Sequence, residues 1–235
     1  MEITQQLSGQ HSFAIIFILG APGAGKGTLC THLARTYNLV HHSVGDGLRS
    51  WMRENRSASL AVTIQDKLDN QGFLTSKELN PFICRAIKDA INRKPEQVGI
   101  MIDGFPRNIE QLDSWSVWPF AEELPLSCGP NVDAKPDIVI SLRVSKQNAK
   151  ARYSARARDS NDSDEKFERR FAEYEVETLP VEDTYRQRGI LIDVDVNGTK
   201  DENVSEMTKK LSESNLWQSI MVLGRTNTES RFLNL

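Results

Sequence analysis

A continuous apolar run, FAIIFIL at residues 13–19, leads directly into the glycine-rich segment GAPGAGKGT at residues 20–28. A strand that is buried on both faces of a parallel sheet lacks polar alternation, so this run predicts a central strand. It is far shorter than the ~20 apolar residues that cross a bilayer. Residues 27–37 follow with Leu29 and Leu33 at helical spacing. The pattern predicts a buried strand, a loop and a helix.

The glycine-rich loop matches a phosphate-binding pattern. Gly20 is followed, after four residues, by Gly25 and Lys26, which is the spacing GxxxxGK. Glycines let several backbone N–H groups point at one anion, and the next helix adds its positive N-terminal end. We predict that phosphates contact Gly23, Ala24, Gly25, Lys26, Gly27 and Thr28. A plain strand-to-helix turn is the alternative when the loop is taken alone.

Strand signals recur along the chain, at residues 39–44, 98–103, 137–142 and 189–194. Strands that alternate with helices predict an α/β fold, here a three-layer P-loop architecture with a five-stranded parallel sheet between helices. Ligands of such sheets bind beyond the carboxyl ends of the strands. Gly20, Asp103 and Asp193 fall at or just beyond such ends, so we expect them to meet in one site.

A second motif, DGFPR at residues 103–107, follows the third strand signal. Asp103 is placed to hold Mg²⁺ through water, as carboxylates at strand ends do in phosphate-loop enzymes. Arg107 can pair with a phosphate through two parallel hydrogen bonds, and Gly104 shapes the turn between them. Alone, the motif is equally typical of a sharp turn with a surface arginine.

A third feature is a group of arginines: Arg152, Arg156, Arg158, Arg169 and Arg170. Arg152 and Arg156 share one helix face, where like charges repel each other by a few tenths of a kcal/mol. Either nearby acids or a polyanionic ligand must compensate this repulsion. The alternative interpretation is a solvent-exposed helix in which acidic side chains lie among these arginines.

The charge and cysteine content exclude several classes of protein. The net charge of −3 and the pI of 5.9 give no overall attraction to nucleic acid or to anionic membranes. The three cysteines are widely spaced and show no disulfide or metal-binding pattern. The N-terminal residues lack a basic leader. We expect a cytoplasmic protein, with the nucleus as a second location.

Together these residues resemble the nucleoside monophosphate kinases, the family of adenylate kinase and UMP/CMP kinase, over residues 13–211. The phosphate loop carries this family's glycine after the lysine. GDGLR at 45–49 is similar to the segment whose arginine binds the acceptor monophosphate. Residues 72–74 resemble the wall of the acceptor base, and GTK at 198–200 resembles the loop beside the donor adenine. A run from Arg170, with the pattern RxxxYxxxTxP, also matches.

The resemblance implies the reaction ATP + NMP ⇌ ADP + NDP with Mg²⁺, in a protein that is a monomer. It implies catalytic roles for Lys26, Arg107, Arg156, Arg158 and Arg170. It implies that ATP is bound by the phosphate loop with Arg152 and Gly198. It implies that the acceptor is bound by Arg49, Gly72, Leu74, Gly104, Arg107 and Gln111, and that Asp103 organises the metal.

The resemblance also divides the chain into a core, two inserts and two tails. We expect one domain at residues 13–211, with an acceptor-binding insert at about 45–75 and a short lid at about 152–170. Tails are expected at residues 1–12 and 215–235. Residues 119–136 are expected to form an extended loop. The lid has no cysteines, so no structural zinc is expected in it.

The sequence departs from the family pattern in the lid and in the acceptor site. The lid lacks the usual glycine before its arginine, which leaves the register of Arg158 open. Val44 stands where the family carries a small or hydroxyl-bearing residue. Asn108, Leu112 and Trp115 are more similar to UMP/CMP kinase, whereas Gln111 is more similar to adenylate kinase, so the sequence slightly favours a pyrimidine acceptor over AMP.

Two other functions fit parts of the pattern. The irregular lid and Val44 are also compatible with a nucleotide-binding regulator that turns over little. A phosphate-loop NTPase or GTPase switch is the third hypothesis, although no guanine-binding NKxD signature occurs. The histidines, His11, His32, His41 and His42, lie outside the motifs and are expected to be ordinary structural residues. In the reaction that the resemblance implies, the acceptor phosphate is already ionised and can attack the γ-phosphate without a general base, so no histidine is needed for this role.

Overall fold

The computed structural model describes residues 13–70, 72–93, 97–117, 120, 124, 136–156 and 163–221, with the backbone alone at 68–70, 93 and 156. Its strands are β1 (Ala14–Gly20), β2 (Leu39–Ser43), β3 (Gly99–Asp103), β4 (Ile138–Arg143) and β5 (Leu191–Asp195). They form one sheet in the order β2-β3-β1-β4-β5, and every neighbouring pair is parallel. The predicted fold class, an α/β fold with a five-stranded parallel sheet, is confirmed.

Helices connect successive strands. They are α1 (Lys26–Tyr37), α2 (Val44–Glu54), α3 (Ser59–Asn70), α4 (Ser76–Arg93), α5 (Ile109–Ser116), α6 (Lys146–Arg156), α7 (Asp164–Glu173), α8 (Leu179–Gln187) and α9 (Lys200–Glu213), with a π-helix (Tyr174–Thr178) between α7 and α8. Polar caps set several helix starts. The Asn108 side chain accepts a hydrogen bond from the Gln111 N–H at the start of α5, and Thr199 and Glu202 form a capping box at the start of α9.

The central strand β1 is buried on both faces, which explains why its sequence has no polar alternation. Ile15, Phe17 and Leu19 point into one apolar core, which also contains residues of α4, α5 and α8. Ile16 and Ile18 point into a second core beneath α1 and α9. The sheet is therefore covered on both sides, and its strand ends are left to form a site.

The C-terminal end of the fold differs from the prediction. Residues 215–221 are helical, and Trp217 is only 1% exposed. The Trp217 ring packs edge-on against Tyr37, with 5.0 Å between the ring centroids. The packed structure thus continues past residue 211, because this aromatic side chain closes the core beneath α1. Residues 222–235 of the expected tail lie outside the described residues.

Several other expectations concern parts of the chain that the structure does not describe. The N-terminal tail at 1–12 lies there, as does most of the expected loop at 119–136. Of that loop, Phe120 and Leu124 are described, and both pack against the core that contains Phe17. Among the described helices, none is long and apolar enough to cross a membrane.

Candidate active site

A cleft of ≈ 570 Å³ opens at the carboxyl ends of the strands. Its floor is formed by the β1–α1 loop and by the turn after β3. One wall is formed by α2 and α3, and the opposite wall by α6 and α7. The predicted site residues that line it are Gly23, Ala24, Gly25, Lys26, Gly27, Thr28, Arg49, Gly72, Leu74, Asp103, Gly104, Arg107, Gln111, Arg152 and Arg170. Residues that are far apart in the sequence thus share one cavity.

The glycine loop has a backbone shape that requires glycine. Gly23 and Gly25 have φ of 83° and 86°, a left-handed region that other residues rarely adopt. A Cβ atom built on Gly23 would lie 2.1 Å from the Ala149 carbonyl oxygen, so α6 packs directly on the loop. Lys26 Nζ donates to the carbonyl oxygens of Gly20 at 2.7 Å and Ala21 at 3.0 Å. These two hydrogen bonds fix the Lys26 side chain against the backbone of the loop.

The turn after β3 holds Arg107 against its own backbone. Arg107 Nε donates to the Gly104 carbonyl oxygen at 2.9 Å, and a Cβ atom on Gly104 would come within 2.9 Å of the guanidinium. Arg107 is exposed toward the cleft. Its dense protein surroundings lower its pKa, and the positive charges of Arg170 and Arg49 lower it further, whereas Asp103 raises it. Three guanidinium groups are therefore gathered close enough to repel each other.

The acceptor-side wall is joined to the floor by one amide side chain. Gln111 Oε1 accepts from the Arg107 backbone N–H at 2.8 Å, and Gln111 Nε2 donates to the Leu74 carbonyl oxygen at 2.9 Å. Gln111 is 1% exposed. Arg49, on α2, pairs with Asp46 on the same helix. Arg49 and Gln111, two of the six predicted acceptor residues, thus both line the cleft.

The opposite wall contains the predicted donor-side arginines. Arg152 donates to the carbonyl oxygens of Val196 and Gly198, each at 2.6 Å, so two residues that the sequence analysis grouped together are in contact. Arg170 donates to the Tyr153 hydroxyl oxygen at 3.2 Å. Arg156 is the last residue of α6, and its side chain is not described. Arg158 lies outside the described residues.

The π-helix connects the wall formed by α7 to the floor of the cleft, a link that the sequence analysis did not anticipate. Thr178 Oγ1 donates to the Arg107 carbonyl oxygen at 2.7 Å. Tyr174 donates to the buried carboxylate of Glu182 at 3.1 Å, which also accepts from Ser141. Burial raises the pKa of Glu182 and that of Tyr174. The sequence feature that corresponds to this link is Thr178, four residues after Tyr174 in the RxxxYxxxTxP pattern.

Asp193 does not join the site, contrary to the prediction. It lies in the middle of β5, and its two carboxylate oxygens accept hydrogen bonds from Arg186 at 3.0 Å each. The strand extends beyond the end that the sequence indicated, to Asp195. The side chain therefore serves an ion pair on the surface, away from the cleft.

The residues that resemble UMP/CMP kinase in α5 have structural roles. Asn108 caps the helix, and Leu112 and Trp115 are buried in the core. None of the three lines the cleft as far as the described residues define it. The similarity to UMP/CMP kinase therefore lies in residues that shape α5 rather than in residues that line the cleft.

The site offers oxygen donors that suit Mg²⁺. Asp103 is 7% exposed and stands at the end of β3, and the carboxylate and the Thr28 hydroxyl both border the cleft. Mg²⁺ prefers such hard oxygen ligands and commonly keeps several waters between two or fewer carboxylates and the phosphates of a substrate. The residues present thus fit a magnesium ion that is bound together with a nucleotide.

Comparisons with known proteins agree with this geometry. The adenylate kinase family model matches residues 18–190. An adenylate kinase from a Nitratiruptor species is 33% identical over 195 residues, covering 82% of this chain and 92% of its own. UMP-CMP kinase 1 of Oryza sativa subsp. japonica is 30% identical over 190 residues, covering 80% and 70%. UMP-CMP kinase of Danio rerio is 26% identical over 205 residues, covering 85% and 97%. The chain belongs to the adenylate kinase family.

Proposed function

We propose that this protein transfers the γ-phosphoryl group of ATP to a nucleoside monophosphate, in the reaction ATP + NMP ⇌ ADP + NDP. The observation that carries this proposal is that one cleft is lined both by Lys26 with the glycine loop and by Arg49 with Arg107, and that Asp103 lies on its floor. A site for one nucleotide has no use for a second set of phosphate-binding groups. The family to which the chain belongs supports the same reaction.

The arrangement of charges suits a transfer between two polyanions. An attacking phosphate oxygen and a γ-phosphate repel each other, and the transferring group spreads charge over its equatorial oxygens. We propose that Lys26 and the loop N–H groups hold the ATP phosphates, while Arg49 and Arg107 hold the acceptor phosphate. We assign Arg170, with Arg156 and Arg158, to the transferring group. Positioning and charge stabilisation then supply the catalysis.

The reaction needs little proton transfer from the protein. A monophosphate is largely ionised at neutral pH, so the attacking oxygen is already a nucleophile. Asp103 and Thr28 are the proposed contacts of Mg²⁺ and its waters, and the ion neutralises phosphate charge when it is bound with ATP. The repulsion of Arg107 by Arg170 and Arg49 is relieved when two phosphate chains enter, because each guanidinium then gains an anionic partner.

The two walls give a means of excluding water. Residues 45–75 and 152–170 are the proposed acceptor insert and lid of the domain at 13–211. The lid helix α7 is joined to the core by the π-helix, and π-helical turns are frequent at functional sites. Closure of both walls would keep water from the γ-phosphate, which would otherwise be hydrolysed.

For the acceptor base we propose a pyrimidine, UMP or CMP, with AMP as the second candidate. The sequence following Arg107 supports the pyrimidine, although Asn108, Leu112 and Trp115 act through packing in α5. Several relatives named adenylate kinase support AMP. Gln111 borders the cleft, and an amide can pair with each of the three bases. A monomeric, cytoplasmic protein remains a prediction.

A coupled assay of ADP formation tests the proposal. ADP formation from ATP would be measured with AMP, CMP, UMP and GMP in turn, and without acceptor. We expect rapid ADP formation only when an acceptor is present, with the highest kcat/KM for a pyrimidine. ADP formation at the same rate with and without an acceptor would identify an NTPase. Tight nucleotide binding without turnover would identify a regulator.

A further inference from the structure

Three unlike side chains cluster beneath the floor of the cleft. Cys30 comes from α1, His41 from β2 and Asp103 from the end of β3. Their sulfur, nitrogen and oxygen atoms all lie within 4.8 Å of one another. The sequence analysis found no metal-binding spacing for the cysteines and expected His41 to be structural, because the three residues are widely separated in the chain.

The parallel sheet explains how these residues meet. β2 and β3 pair with His41 opposite Met101 and Ser43 opposite Asp103, so His41 and Asp103 are on the same face and two positions apart. Helix α1 covers that face, and Cys30 on it packs in the core that contains Met101. The cluster is therefore built by the central elements of the fold rather than by a surface loop.

The imidazole of His41 is poorly satisfied in this position. Its Nε2 atom is buried and has no hydrogen-bond partner among the described residues. The Asp103 carboxylate oxygen lies 3.6 Å away, which is beyond a normal hydrogen bond. Buried polar atoms nearly always have a partner. A nitrogen and an oxygen at this separation can both bind one ion that lies to the side of the line joining them.

We propose that Cys30, His41 and Asp103 form a binding site for a soft divalent metal ion, with Zn²⁺ as the ion of best fit. Thiolate, imidazole and carboxylate are the three ligand types of protein-bound zinc. A tetrahedral zinc ion places its ligand atoms about 3.3 to 3.6 Å apart, given its usual bond lengths. The His41–Asp103 separation of 3.6 Å is within about 0.3 Å of this requirement. Cys30 meets it by a modest side-chain movement.

Binding requires the thiol to lose its proton. Burial raises the pKa of Cys30 well above its ordinary value, and the negative charge of Asp103 raises it further. The free thiol is therefore protonated at neutral pH. When the ion binds, the Cys30 S–H bond breaks, a Zn–S bond forms, and the proton is released to solvent. No oxidant or reductant takes part.

The site would regulate the enzyme because it uses Asp103. The same carboxylate borders the nucleotide cleft and is the proposed organiser of Mg²⁺. Zinc held between Cys30, His41 and Asp103 would withdraw that carboxylate from the magnesium network and inhibit phosphoryl transfer. The metal site stands independently of the proposed function, whereas this inhibitory consequence rests on it.

Cobalt titration of the full chain tests the site without reference to activity. Co²⁺ in a tetrahedral site with a thiolate shows sulfur-to-metal charge-transfer absorption in the near ultraviolet and strong visible bands. We expect both to saturate at one equivalent and to disappear when Zn²⁺ displaces the cobalt. Cys30→Ser should abolish the charge-transfer band, and Cys84→Ser, which changes another buried cysteine, should leave it unchanged.

A second variant and an activity measurement complete the test. Loss of an outer-shell partner already costs about 10- to 100-fold in metal affinity, so His41→Asn should weaken cobalt binding by at least ~100-fold. Thermal melting checks that each variant is folded. Zinc should also suppress turnover of the unmodified enzyme, reversibly with a chelator. Absence of the cobalt bands, or a charge-transfer band that survives Cys30→Ser, would overturn the metal site. Zinc binding without loss of turnover would overturn the proposed inhibition through Asp103.

Discussion

The floor and the walls of the cleft hold their charged groups in different ways. On the floor, Lys26 and Arg107 donate to carbonyl oxygens of their own loops, and Asp103 is buried at a strand end. On the walls, Arg49 pairs with Asp46 of its own helix, and Arg170 donates to the hydroxyl of Tyr153 in the neighbouring helix. The floor therefore holds its cations through backbone groups next to the sheet, whereas the walls hold theirs through side-chain contacts on helices.

The largest effect is expected at the floor, from Lys26→Met. Methionine keeps most of the length of the side chain but removes the charge and the hydrogen bonds to Gly20 and Ala21. Loss of a preorganised donor to a transferring group costs about 10²- to 10³-fold in kcat. Steady-state kinetics should show this loss, while circular dichroism shows an intact fold. Unchanged turnover would mean that the glycine loop does not hold the ATP phosphates.

The comparison between floor and wall is sharpest for the two acceptor arginines. Arg107→Ala removes a charge-assisted interaction worth about 1.5–3 kcal/mol, which corresponds to about 10- to 150-fold. We expect KM for the acceptor to rise far more than KM for ATP. Arg49→Ala should act in the same direction but less strongly, because its helix can readjust. An equal rise in KM for ATP and for the acceptor would contradict the assignment of Arg107 to the acceptor phosphate.

A smaller effect is expected where the lid side is joined to the floor. Thr178→Val removes the hydroxyl that donates to the Arg107 carbonyl oxygen at 2.7 Å, and the loss of this hydrogen bond costs about 0.5–1.5 kcal/mol. The melting temperature should fall and KM for the acceptor should rise, each modestly. Thr184→Val is the matched control, since that exposed hydroxyl donates to Pro180 on its own helix. If both variants behave alike, the link from π-helix to floor is unimportant.

The smallest effect concerns the base of the acceptor-side wall and depends on pH. Burial alone raises the pKa of Glu78, but hydrogen bonds from Lys67 and Thr75 outweigh it, and the net pKa lies below its ordinary value. A carboxyl with a lowered pKa stabilises the fold above its unfolded-state pKa, and this stability is lost as the pH falls through the lowered value. Glu78→Gln should cost about 1 kcal/mol of unfolding free energy at pH 7.

The cost of Glu78→Gln should fade in acid, because the unmodified carboxyl is then also neutral. Urea unfolding of both proteins at neutral and acidic pH measures this difference. Glu213→Gln, at the exposed end of α9, is the matched control for the substitution itself. If the difference in unfolding free energy between the two proteins were the same at both pH values, the stabilising role of the Glu78 carboxylate would be contradicted.

The strands could be predicted closely because buried parallel strands leave continuous apolar runs in the sequence. The phosphate loop and the turn at Asp103 could be predicted because their glycines and charges have fixed local spacing. The position of Asp193 was wrongly predicted because the sequence defines a strand end only to within a residue or two. The strand ends at Asp195, so Asp193 lies within the sheet and not at the site. Trp217 was missed because its partner, Tyr37, is far away in the chain.

Contacts that depend on the register between strands or on helix packing were not accessible from the sequence. His41 meets Asp103 only because β2 pairs with β3 in one register. The amide of Gln111 was expected to bind a base, and its two hydrogen bonds to the floor and the wall depend on how α5 packs. Such contacts join segments whose spacing in sequence carries no periodic signal.

The central claim is that one cleft holds two nucleotides at the same time. It is tested most directly by calorimetry and competition with a single molecule in which adenosine and a second nucleoside are joined by a chain of phosphates. We predict that one molecule binds per chain and competes with both ATP and the acceptor. Competition with only one of the two substrates, or binding of two molecules per chain, would contradict it.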